Sequence, residues 1–108
     1  MATYQFSYDE KGCKKFFKTY HHQEKTIKQF IERQLTRQID TDFSKTKLAT
    51  RIEVDGHKCY ECRVNLPQTP NIRVAFTVDD TNVVVRYVTT NITKADFTHE
   101  LEHFLSNR

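Results

Sequence analysis

A chain of 108 residues, 37% hydrophobic, 12% aromatic and 29% charged, holds enough apolar material for one modest core and is too short for two domains. That composition is ordinary for a soluble globular chain and not for a disordered one, and two Gly and two Pro predict mostly regular structure. No apolar run is long enough to span a membrane, the opening MATYQFSYDEKG has no signal-peptide core, and three cysteines read as reduced thiols. These features predict a cytoplasmic protein, while a net charge of +3 allows a polyanionic partner without requiring one.

Thr3 to Ser7 reads as a short opening strand with Tyr4 and Phe6 on one face. Asp9 is a helix N-cap, and Cys13, Phe16, Phe17 and Tyr20 recur at helical spacing, predicting a helix to about Tyr20. A second helix, about Gln23 to Ile39, carries Ile27, Phe30, Ile31, Leu35 and Ile39 on one side, so the two form a helical hairpin. Asp40 to Lys47 is a polar connection. Leu48 to Val54 can form a strand, and Asp55-Gly56 is a hairpin turn signal. Lys58 to Leu66 alternates with Tyr60, Cys62, Val64 and Leu66 on one face; Pro67 to Pro70 is a loop. Ile72, Val74, Phe76 and Val78 alternate again, and Val83, Val85 and Tyr87 continue the pattern after a turn at Asp79 to Asn82. Thr93-x-x-Asp96 resembles a capping box opening a last helix from about Lys94 to Leu105. The expected architecture is α+β, in the order β-α-α-β-β-β-α: an N-terminal strand and helical hairpin packed on a mostly antiparallel four-stranded sheet, with a C-terminal helix. Helices are expected to cover one sheet face and leave the other open.

Two motifs suggest metal. His99-Glu-Leu-Glu-His103 fits the H-E-x-x-H pattern of zinc proteases. At about 100° per residue, however, Phe97, Leu101, Phe104 and Leu105 form the buried stripe, and both histidines lie roughly opposite it. A catalytic zinc needs a third ligand, which Phe104 to Arg108 do not offer. Cys59-x-x-Cys62 falls inside an alternating strand, where residues three apart face opposite sides, and no second Cys pair exists. The reading is therefore no metal and no cofactor.

The alternation places Cys59, Glu61, Arg63 and Asn65 away from the helices, with Arg73, Ala75 and Thr77 on the next strand. A two-residue turn at Asp80-Thr81 pairs Phe76 with Val85 and Ala75 with Arg86, and turns Tyr87 inward. Arg63, Arg73 and Arg86 are then expected to converge on one uncovered face, with only Glu61 to offset their repulsion. Arginines on an open face can simply keep it soluble. A cluster held against repulsion also suits an anion, and guanidinium suits phosphate, which points to nucleic-acid backbone.

Phe6-Ser-Tyr-Asp-Glu followed by Cys13-Lys-Lys-Phe-Phe-Lys, then Cys59-Tyr-Glu-Cys-Arg-Val, Asn71-Ile-Arg-Val-Ala-Phe and Asp79-Asp-Thr-Asn-Val-Val-Val, resemble the RelE/ParE toxin superfamily of bacterial toxin–antitoxin modules, over about residues 3 to 105. The resemblance implies a microbial-ribonuclease-like fold neutralised by a cognate antitoxin. On the RelE side it implies metal-independent cleavage of mRNA on the ribosome; on the ParE side, inhibition of DNA gyrase; a non-toxic binding member is a third reading. Arg73 matches the most recognisable arginine of the RelE set and Arg63 a basic strand position, while Glu61 stands where RelE carries lysine. The family's C-terminal site position falls on His99 in an ungapped register or on Phe97 if the apolar helix face is matched, and Lys94 is the nearest cation in the preceding loop. Attack by a 2′-hydroxyl needs cations against the developing phosphorane charge and groups that move protons. The expected roles are Arg63, Arg73 and Arg86 as cations, with Arg86 and Lys94 on the RNA. His99 is the expected proton-transfer group and Glu61 a candidate base.

Overall fold

At Asp9 the spacing of apolar residues changes from two to about 3.6, and the chain turns there from strand to helix. The computed structural model of the protein describes residues 3–42, 46–67 and 69–107. Strand β1 (Gln5–Tyr8) leads into helix α1 (Glu10–Thr19), whose N-cap Asp9 accepts a hydrogen bond from the Gly12 N–H at 3.1 Å. A short 3-10 helix, His21–Gln23, joins α1 to helix α2 (Glu24–Asp42). The connection predicted over Asp40–Lys47 is thus helical through Asp42, and positions 43–45 lie outside the described residues, as does Gln68 of the predicted Pro67–Pro70 loop. Strands β2 (Tyr60–Val64), β3 (Ile72–Asp79) and β4 (Asn82–Thr89) follow, then helix α3 (Lys94–Ser106).

The sheet order is β1-β4-β3-β2, antiparallel except for the parallel β1–β4 pair. Leu48 to Val54 does not form a strand: the segment makes only isolated bridges, Leu48 to Tyr60 and Val54 to His57. Asp55 and Gly56 do form the expected tight turn. Both have positive φ, as primed two-residue turns require, and Val54 and His57 exchange both backbone hydrogen bonds at 2.9 Å.

The larger core lies between the helical hairpin and one sheet face. Cys13, Phe16 and Phe17 of α1 and Ile27, Ile31 and Leu35 of α2 pack there on Cys62, Val64, Val74, Phe76, Val83 and Val85. The phenol of Tyr8 donates to Glu32 at 2.8 Å and tethers β1 to α2. Each large side chain buried this way contributes about 1.5–3 kcal/mol of transfer free energy.

The opposite face is not open. Phe97 and Leu101 of α3 are fully buried against Ala75, Cys59, Val54 and Ala49, with Tyr87, Phe104 and Leu105 at the margin. The cause is a register shift between Ala75 and Phe76: Phe76 still pairs with Val85, but Ala75 pairs with Tyr87, so Arg86 is the extra residue of a β-bulge. The bulge turns Tyr87 onto the α3 side and Val88 into the larger core. Tyr87 beside the small Ala75 makes a platform on which the apolar stripe of α3 must sit.

Candidate functional site

Strand register places Arg63 directly opposite Arg73, and Glu61 opposite Ala75. Arg73 and Glu61 share a face, and the arginine Nη1 lies 3.3 Å from the Glu61 Oε1. Their side chains are 18% and 6% exposed, so the pair is largely withdrawn from water, and the second Glu61 oxygen is buried with no hydrogen-bond partner among the described residues. Arg73 also donates through Nε to the Ile92 carbonyl at 2.6 Å, which clips the β4–α3 connection to the sheet. Arg63, by contrast, is exposed.

The outer edge of β2 is lined by the segment that was expected to be a strand. The Glu61 N–H donates to the Lys47 carbonyl at 3.0 Å and the Ala49 N–H to the Cys59 carbonyl at 2.8 Å. This fixes Lys47 beside β2. Lys47, Arg63, Arg73 and Glu61, with Gln34 and Gln38 of α2, line a shallow groove of about 310 Å³. Lys47 is a site residue that sequence reasoning missed, since it lies in an aperiodic connection and only the backbone bonds to β2 bring it in.

Two residues of the expected site lie elsewhere. Arg86 does not join Arg63 and Arg73. Its Nε donates to the Thr77 hydroxyl at 3.1 Å and its Nη2 lies 3.4 Å from Asp55, with only 13% of the side chain exposed. Thr77 is four residues along β3 from Arg73, about 13 Å at strand rise, and Ala75 between them is covered by α3. The expected three-arginine convergence is therefore replaced by two separate sites. His99 is exposed on α3 and lines neither this groove nor the larger cleft described below, whereas Phe97 is wholly buried. Lys94 is exposed at the start of α3, two residues beyond the Ile92 carbonyl that Arg73 holds. The Thr93 side chain makes no capping hydrogen bond, so the capping box expected there is not formed.

The two cysteines of the C-x-x-C motif separate in space. Cys62 lies in the larger core and Cys59 in the smaller one, on opposite sheet faces. Among the described residues no three His, Cys, Asp or Glu side chains gather into a group that could hold a metal, and no helix is long and apolar enough to cross a membrane. Of the H-E-x-x-H residues, Glu100 accepts from the Tyr87 hydroxyl at 2.5 Å and Glu102 from the Thr50 hydroxyl at 2.7 Å, both as braces for α3. Burial first, and then the bond to Glu100, raise the Tyr87 pKa.

No protein-family model, curated protein or solved structure matches this chain.

Proposed function

We propose that this protein is a toxin of the RelE/ParE kind, acting as a metal-independent endoribonuclease on ribosome-bound mRNA and neutralised by a cognate antitoxin. The observation that carries the reading is the pairing of Arg63 opposite Arg73 across β2–β3, with Lys47 held along the adjacent edge. The α+β element order agrees with what the sequence resemblance implies. Such a groove suits a phosphodiester. Arg63 and Lys47 neutralise the incoming backbone, and Arg73, oriented by Glu61 and the Ile92 carbonyl, faces the charge that develops at phosphorus. Glu61 positions Arg73 from within the fold, its second oxygen being withdrawn from solvent. His99 lies outside the groove lining and takes no part in this scheme, and neither does Lys94, which is exposed at the start of α3. Ribosome and mRNA as targets put the action in the cytoplasm.

The test is cleavage of mRNA on programmed ribosomes by the purified protein. Arg63→Ala removes an exposed side chain and should leave the fold intact while slowing cleavage about 10²–10³-fold, the usual loss for one electrostatic stabiliser. Unchanged cleavage by folded Arg63→Ala would sink the assignment of the groove. A second reading, gyrase inhibition without RNA cleavage, is favoured by the internal pairing of Arg73 and by the lack of a histidine among the described residues that line the groove. Inhibition of gyrase supercoiling by protein that leaves ribosomal mRNA intact would select it.

A further inference from the structure

A second concavity belongs to neither metal motif nor arginine groove. It is a cleft of about 560 Å³ between α1, the C-terminal half of β4 and α3, within the size range of small-ligand sites. It lies where β1 stops pairing at Tyr8 opposite Val85, so that Tyr87 to Thr89 are paired on the β3 side only. Its walls carry two aromatic pairs. Phe16 and Tyr20 of α1 have ring centroids 4.9 Å apart, and Tyr87 of β4 and Phe104 of α3 are 5.1 Å apart, each pair tilted by less than 40°. The rim is basic. Lys11 and Lys15, one turn apart on α1, repel each other slightly, and His103 of α3 stands on the other side. Glu100 is the one carboxylate in the lining, and it is occupied by the Tyr87 hydroxyl.

Flat aromatic surfaces beside lysines combine the two features by which proteins hold single-stranded nucleic acid: rings on which a base stacks and cations that follow the backbone. We propose that this cleft is a nucleotide-binding site, in which a base of single-stranded RNA stacks on the aromatic pairs and its phosphate lies on Lys11 and Lys15. Thr89, Thr90 and Asn107 supply hydroxyl and amide groups for the base edge and the ribose. The cleft also shares a row of the sheet with the proposed cleavage groove. Arg63 pairs with Arg73, and Arg73 with Thr89, so β2 and β4 are two strand spacings, about 10 Å, apart at this level. The inference rests on the preceding reading only for the choice of RNA as polymer, because base binding here needs no cleavage.

The experiment is a titration of the full chain with adenosine monophosphate, followed by amide NMR, together with anisotropy of a labelled short oligoadenylate. The nucleotide should shift Lys15, Tyr20, Thr90 and Phe104, and inorganic phosphate should do so much less. The double variant Lys11→Ala/Lys15→Ala should weaken oligonucleotide binding and lower the salt slope by about 0.7 for each phosphate no longer neutralised. Tyr20→Ala should weaken it about ten- to a hundredfold. If Tyr20→Ala does not fold, the nucleotide shifts in the unaltered protein decide. Shifts confined to other surfaces, equal binding of phosphate and nucleotide, or equal binding of oligoglutamate would overturn the proposal. Oligonucleotide binding lost in Arg63→Ala but intact in the cleft variants would overturn it while sparing the groove. Binding lost only in the cleft variants would uphold it and count against the groove.

Discussion

Arg73 is both the best-matched cation of the expected site and a structural brace. Removing it strands Glu61, which is 6% exposed and has no other cation paired with it among the described residues. Uncompensated buried charge of this kind costs about 3–5 kcal/mol. Arg73→Ala should therefore unfold at markedly lower urea, and Glu61→Leu/Arg73→Met should recover much of the loss. A fall within about 0.5 kcal/mol, the usual surface range, would show that the pair is not buried in solution. Loss of the proposed cleavage in Arg73→Ala alone would thus report on the fold as well as the chemistry, which makes Arg63 the cleaner probe. The thiols allow a second prediction. Burial pushes Cys59 from the ordinary 9.0 up to about 11, against the pull of the Arg86 charge, and pushes Cys13 up to about 12, with the Asp9 charge adding to it. From about pH 9 the unfolded chain loses these protons while the folded chain keeps them, so the unfolded state binds fewer protons. Stability should then fall as pH rises from 9 toward 11 and 12, with no contribution from these thiols below 9. Denaturation midpoints across that range measure it, and rapid alkylation of the native thiols near neutral pH would contradict it.

The bulge at Arg86 is the element on which most depends. It carries the Arg86 carbonyl toward α1, where an added Cβ on Gly12 would lie 1.8 Å from that oxygen. Gly12 is therefore needed for close approach of helix and strand. In an exposed helix Gly→Ala would stabilise by about 1 kcal/mol. Here the clash is with backbone, and overpacking of this kind typically costs about 1–3 kcal/mol. Gly12→Ala should be net destabilising in thermal unfolding, and a raised Tm would mean that α1 does not pack this closely. The same bulge sends Tyr87 to the α3 face and thereby makes one wall of the aromatic cleft.

Across the whole molecule, α3 determines which surfaces remain available. It covers Ala75 and Cys59, separates Arg86 from Arg73, and forms one wall of the cleft. Its anchor is Phe97, wholly buried on a face otherwise thin in large side chains. Phe97→Ala should cost about 3–5 kcal/mol and raise amide exchange throughout α3 before it affects β3. Exchange that rises equally everywhere would instead make α3 part of one cooperative unit with the sheet.

Local physics was legible in the residues themselves. Asp9 as a cap, the apolar stripes of α1 and α2, the Asp55-Gly56 turn and the separation of Cys59 from Cys62 all follow from spacing and from short-range hydrogen bonding, which nearby residues determine. The same holds for the placing of Arg63 and Arg73 on one face of the sheet, while their direct pairing came only with the β2–β3 register. Period-two reading failed at Arg86, because a bulge changes the face of every later residue and Tyr87-Val88 is apolar on both faces. It failed again at Leu48 to Val54, where the alternation is real but the edge of β2 accepts only isolated bridges. The place of His99 outside the groove, the arrival of Lys47 in it and the aromatic cleft were decided by packing between segments far apart in sequence. Whether α3 lies over the sheet is determined by the area that Phe97 and Leu101 bury against Ala75 and Tyr87, a quantity that exists only once the chain is folded.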